Sequence, residues 1–175
     1  VQAGLMTGEL AVAPDTVLLL PAADRGNARA ELEVKAAAAA LAPGGRLILV
    51  GHKDQGGRRF EGFATPLFRE AEVIRRDGGW RVLDCRAPLA DQLLPPVTLG
   101  FEAAGLELTA FKGTFAAGKL DPGTAQLLTA FPGGDWLAGQ QVLDLGCGYG
   151  LLALTAALAG ATVTAVDDDL AAVRS

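Results

Sequence analysis

The 175-residue chain has a formal net charge of −5 and is 50% hydrophobic, which makes it a globular protein and excludes a disordered or collagen-like polymer. Its longest apolar stretches are Ala-rich, broken by Pro or Gly, and well short of the roughly 20 residues a spanning helix needs, so no membrane partner is expected. Cys85 and Cys147 lie far apart with no C-x-x-C spacing and His52 is the only histidine, so neither a metal site nor a disulfide framework is expected, and a reducing cytoplasm is.

In chain order, Asp15–Leu20 is a short apolar strand ending at Pro21, and 22–27 is a loop. Ala28 to Leu41 has strong alanine propensity and predicts a helix, closed by the stop signal Ala42-Pro-Gly-Gly45. Arg46–Val50 is the next strand, and Gly51–Gly57 a polar loop in which His52 reads as a surface histidine. Phe60 to Glu70 predicts a helix. Val73–Arg76 and Trp80–Cys85 flank Asp77-Gly78-Gly79, the strongest hairpin signal in the chain. Strands alternating with helices indicate a doubly wound α/β sheet, and the hairpin fits an antiparallel edge on it.

Leu93-Leu-Pro-Pro-Val97 reads as a connector and Leu106–Phe111 as a short strand. A loop from Gly113 to Thr124 leads, through a cap at Asp121 or Thr124, into a helix running to Phe131. Val142–Leu145 is a buried strand that stops in Gly146, Gly148 and Gly150. Leu151–Ala159 is a helix ended by Gly160, and Thr162–Val166 a strand finishing in Asp167, Asp168 and Asp169. Strand, glycine turn, helix, strand, acid is the arrangement that holds a nucleoside cofactor. Glycines let the backbone approach the ligand, the helix N-terminus offers N–H groups, and a later carboxylate takes a ribose hydroxyl pair.

Charge is unevenly spread. Arg46, Lys53, Arg58, Arg59, Arg69, Arg75, Arg76, Arg81 and Arg86 crowd the first half, whereas beyond Lys119 the only basic residue is Arg174. A basic half joined to an acidic cofactor half could seat a phosphate backbone on one and chemistry on the other; alternatively the arginines are solvated faces interleaved with Glu61, Glu70, Glu72 and Asp77. The chain begins at Val1, shows no signal peptide, and stops a few residues after its last strand. One strand–helix–strand unit cannot cover both faces of a parallel sheet, so a fragment cut at one or both ends is expected.

Nicotinamide and S-adenosylmethionine enzymes both use a glycine turn after the first strand. Here the spacing is G-x-G-x-G rather than G-x-G-x-x-G, and Asp144 stands two residues before the first glycine. A carboxylate there can face a sulfonium and the ammonium group of an amino acid. Leu143-Asp-Leu-Gly-Cys-Gly-Tyr-Gly150 with the following Val166-Asp167 therefore resembles motif I and the second acidic motif of class I methyltransferases. Ala37–Val50, with its Leu-Ala-Pro-Gly-Gly-Arg-Leu-Ile-Leu-Val, looks like the fourth helix and fifth strand of the same fold, without a glycine motif before it.

Two such domains in tandem resemble the bacterial ribosomal RNA guanine-N2 methyltransferases. The residues that match are Gly113, Phe115, Leu120, Asp121, Gly123, Thr124, Leu127 and Leu128, then Val142 to Gly150. The resemblance implies a Rossmann-like class I methyltransferase fold with partial tandem domains. Residues 1–92 would be the back half of a non-catalytic, RNA-binding domain, 93–112 a connector, and 113–175 the start of the S-adenosylmethionine-binding domain. One circularly permuted sheet is the alternative, and pairing of Val142–Leu145 beside Asp15–Leu20 would reveal it.

The implied activity is methyl transfer to guanine N2 of ribosomal RNA, with small-subunit RNA favoured. The implied cofactor residues are Asp144, Gly146, Cys147, Gly148 and Gly150 for the methionine end and ribose, and Asp167 or Asp168 for the ribose hydroxyls. Asp121 and Thr124 would pack against the cofactor, or simply cap their helix. Family members also carry Asn-Pro-Pro-[Phe/Tyr] in the catalytic domain, which this chain does not contain, so residues 1–175 are expected to be inactive alone. Competing readings are an RNA-binding module with an empty glycine loop, a class I methyltransferase with a small-molecule or protein substrate, and a nicotinamide oxidoreductase.

Overall fold

A computed structural model describes residues 12–90, 97–131 and 136–175. The chain divides into two compact units, Val1–Pro96 and Val97–Ser175.

The first unit is built on a four-stranded sheet of order β1-β2-β4-β3. β1 (Thr16–Leu19) runs parallel to β2 (Arg46–His52), and the Ala-rich helix α1 (Asn27–Ala40) makes the crossover between them. The chain then turns through α2 (Gly57–Ala64) into an antiparallel hairpin, β3 (Phe68–Asp77) and β4 (Trp80–Pro88), whose second strand pairs with β2. Alternation decides the faces. Leu47, Leu49, Leu83 and Cys85 point to one side and close a core with Ala30, Val34 and Ala38 of α1 and Phe60 and Ala64 of α2. The opposite side carries Leu18, Ile48, Val82 and a cluster in which Asp84, 1% exposed, is clamped by Arg46 (Nε 2.7 Å) and Arg86 (Nη2 2.6 Å). On the helix side, the carboxylate of Glu61 on α2 receives the guanidinium of Arg81 on β4, fastening the helix to the sheet.

Two sequence expectations change here. The helix expected over Phe60–Glu70 ends at Ala64; a short 3-10 turn at Thr65–Leu67 follows, and Phe68–Glu70 already belong to β3. Pro66 removes a backbone donor and stops the α-helix, while Phe68, Ala71 and Val73 join the core. Gly51 and His52, expected in a loop, extend β2 and pair with Arg81 and Trp80.

The second unit holds two small sheets. β5 (Thr98–Ala103) and β6 (Leu106–Phe111) form an antiparallel hairpin, so the stretch 93–112 expected as a connector contains β5 besides the expected strand at Leu106–Phe111; its residues 93–96 lie outside the described residues. α3 (Pro122–Ala130) follows, capped by Asp121. Then come β7 (Gln141–Leu145), α4 (Leu151–Leu158), the parallel β8 (Thr162–Val166) and a last turn, α5 (Leu170–Val173). Ala103, Leu108 and Leu151 are buried together, with Phe101, Leu106, Leu128 and Tyr149 packed around them. β7 pairs with β8 and not with β1, and the sheets of the two units are separate. The pairing that would mark a circularly permuted sheet is absent among the described strands.

Candidate functional site

The site is assembled where β7 ends. Gly146, Gly148 and Gly150 have φ of +77°, +54° and +85°, values an L side chain adopts only with strain, and a Cβ at any of them would meet open space rather than protein. Backbone conformation, not packing against the fold, therefore requires glycine here. Gly150 is the N-cap of α4. The turn is held to the end of β8, where Gly146 N–H and Cys147 N–H both donate to the carbonyl of Val166, at 2.8 and 3.0 Å.

Asp167, one residue on, accepts from Gly148 N–H with Oδ2 at 2.8 Å and from Asp169 N–H with Oδ1 at 2.7 Å. Gly150 N–H donates to the carbonyl of Cys147. Within the turn itself, the N–H groups of Gly146, Cys147, Gly148 and Gly150 are committed inside the fold.

Asp144 sits in the opposite electrostatic condition. Its Oδ2 is buried and has no hydrogen-bond partner in the structure. Burial pushes its carboxyl above the usual range, the charge of Asp167 adds to that, and the backbone N–H of Ala153 on α4 opposes it. Burial also raises the Cys147 thiol, helped by Asp167 and Asp144, which favours its protonated form.

Asp121 caps α3 by accepting from Thr124 N–H at 3.0 Å, so both residues have a local structural duty. Tyr149 of the glycine turn feels the charge of Asp121. Its hydroxyl donates to the carbonyl of Lys119 at 3.1 Å, its ring meets Phe101 of β5 edge-on at 5.1 Å, and Asp121 adds to the burial that raises its phenol. Tyr149 and Phe101 were not singled out from sequence. The aromatic at the fourth position of the turn was the available signal for the first, and none marked the second. Asp168 is exposed beyond β8, and Asp169 is buried as the cap of α5, accepting from Ala171 N–H. Among the described residues no group of acidic, cysteine or histidine side chains could hold a metal, and no helix is long and apolar enough to cross a membrane.

Strand, glycine turn, helix and acid-ended strand in this arrangement are those of a class I methyltransferase fold. Residues 105–175 match the methyltransferase small domain family. Along its whole length the chain is 38% identical to the ribosomal RNA small subunit methyltransferase C of Chromohalobacter salexigens, of which it spans 52%. It is 34% identical, over 79% of its length, to the protein of that name from Pseudomonas putida, spanning 41% of it. Among solved structures it is similar to a T. thermophilus 16S rRNA N2 methyltransferase in complex with AdoMet and guanosine, at 42% identity and a TM-score of 0.80, covering 95% of this chain and 47% of that one. The chain is similar to ribosomal RNA small subunit methyltransferase C proteins along its length, and it spans about half the length of the relatives it matches.

Proposed function

We propose that this chain is the cofactor-holding part of an S-adenosylmethionine-dependent methyltransferase acting on guanine N2 of small-subunit ribosomal RNA in the cytoplasm. One observation carries the reading: the turn's N–H groups are already bonded within the fold, while a buried carboxylate oxygen of Asp144 has no partner. A buried carboxylate at the strand end repels an anionic pyrophosphate. A cationic amino acid needs the carboxylate instead, so the site fits a sulfonium nucleoside better than a dinucleotide.

When bound, S-adenosylmethionine supplies an electrophilic methyl carbon on a sulfonium. The protein's part is positioning, since an in-line displacement gains most from fixed geometry. Asp144 would hold the ammonium end and offset positive charge. The open space over Gly146, Gly148 and Gly150 would let the backbone lie against the ribose. Asp167 has both oxygens engaged once, but a carboxylate offers about four acceptor positions, leaving room for ribose hydroxyls. Asp168 is the second candidate. The Asp121–Thr124 cap would close one side of the pocket.

In the domain arrangement that supports this reading, the unit ending at Pro96 is a methyltransferase-type back half that holds RNA, and Val97–Ser175 begins the catalytic domain. Photo-crosslinking of methyl-labelled S-adenosylmethionine tests the reading. Label on residues 1–175, displaced by S-adenosylhomocysteine and absent from Asp144→Ala, is the expected result. Labelling that Asp144→Ala leaves unchanged would refute the assignment.

A further inference from the structure

At the end of the first unit's sheet where β2 finishes, an aromatic side chain stands in a basic setting that the cofactor site does not use. Trp80, the first residue of β4, is paired in register with His52, the last of β2, and is 43% exposed. It is not loosely placed. The His52 ring meets it edge-on, with centroids 5.0 Å apart at 63°, and His52 Nε2 lies 3.3 Å from the carbonyl of Gly78. Lys53 N–H donates to the carbonyl of Gly79 at 2.9 Å, tying the hairpin turn to the residue that follows β2. The contact is close: a Cβ on Gly79, φ +93°, would come within 2.6 Å of His52 Nε2 and 3.2 Å of the Lys53 side chain.

Beside the ring is an open groove of about 440 Å³ lined by Arg75, Asp77, Gly78, Trp80 and Val82. Arg75 and Asp77 form an ion pair at 3.3 Å with both side chains more than 70% exposed, so the arginine is turned to solvent at the groove wall. Exposed Lys53 and, in the first turn of α2, exposed Arg58 stand at the same end of β2.

We infer that Trp80 is a stacking platform for an unpaired RNA base, with Lys53 and Arg75 taking the adjacent phosphates; this rests on the ribosomal RNA reading above. Three features select that occupant. The groove is of a size that takes a nucleobase. A rigid, half-exposed indole offers a π face to a base of any sequence, and the cations beside it match a phosphate chain rather than an apolar peptide. The carboxyl ends of strands in an open α/β sheet are also where such folds place ligands. His52, edge-on and bonded to the turn, holds the ring as a positioning residue.

The test uses Trp136→Phe as background, leaving Trp80 as the one tryptophan of the two, and titrates single-stranded and duplex RNA of equal length. The expected result is quenching of Trp80 emission by the single strand only. In anisotropy with labelled RNA, Trp80→Ala should bind roughly tenfold or more weakly, and Trp80→Phe close to wild type. Lys53→Ala and Arg75→Ala should each lower the salt slope of single-strand binding by about 0.7. Melting curves of the variants check folding. Quenching by duplex as strong as by single strand, or Trp80→Ala binding as wild type, overturns the platform while leaving the ribosomal RNA reading intact. If the unsubstituted chain binds no RNA, both fall.

Discussion

Asp144 is the residue on which stability and function oppose each other. Its raised carboxyl pKa means that the folded chain holds a proton there more tightly than the unfolded chain does. Its contribution to stability is therefore fully present below the unfolded value and is lost as pH rises through the raised folded value. Ionising this carboxyl, whose Oδ2 has no partner, carries a cost that a cationic ligand would offset. Asp144→Asn is expected to melt at a higher temperature than wild type in the absence of cofactor, and to bind S-adenosylmethionine at least tenfold more weakly; scanning calorimetry and dialysis measure the two.

Asp84 shows the reverse sign. The bond from Arg46 leads in holding its carboxyl below the usual carboxylate range; Arg86 adds to it, and burial works against both. This contribution is present above about pH 3.9, the unfolded value, and is lost as pH falls through the depressed folded value. Asp84→Asn should lose about 2 kcal/mol at pH 7, in the range for unpairing a buried charged hydrogen bond, and the gap to wild type should close in acid denaturation curves.

Among the elements, the β5–β6 turn carries avoidable strain. Ala104 has φ +53° and is followed by Gly105 at +77°, a pair of left-handed residues in a two-residue hairpin. Such turns favour Asn-Gly, so Ala104→Asn is expected to stabilise the second unit by about 0.5–1 kcal/mol in urea titrations. The same turn explains why β5 was illegible in the sequence. An Ala-Gly turn is a weak signal, and Gly100 interrupts the β pattern of Thr98–Ala103.

Where turn chemistry is explicit, sequence and structure agree: Asp77-Gly78-Gly79 marks β3–β4, Asp121-Pro122 starts α3, and Gly150 and Gly160 bracket α4. The helix misread at Phe60–Glu70 had its warning in Pro66. At the site, the glycines and Asp144 were legible because spacing encodes them. The consumption of the turn's N–H groups by Val166 and Asp167 was not, since it depends on how β8 ends beside the turn.

For the whole molecule, the two units present separate sheets, each with large hydrophobics on an open face, among them Leu18 at 78% exposed in the first and Leu145 at 81% in the second. The chain contains no Asn-Pro-Pro-Phe sequence, the motif that holds the target amino group in the family it resembles. Residues 1–175 are accordingly expected to bind cofactor without transferring its methyl group: incubation with small-subunit ribosomal RNA and labelled S-adenosylmethionine should leave the RNA unlabelled, and measurable turnover would contradict that division of labour.

The central claim is that the turn after β7, with its bonded N–H groups and the unpartnered Oδ2 of Asp144, is a site for a cationic nucleoside. Isothermal titration calorimetry of residues 1–175 tests it most directly, with S-adenosylmethionine and NAD as alternative ligands and Asp144→Ala as the control. The account predicts saturable heat with S-adenosylmethionine, none with NAD, and loss of the signal in Asp144→Ala. Binding of NAD in preference, or S-adenosylmethionine binding that survives removal of the Asp144 carboxylate, would contradict it.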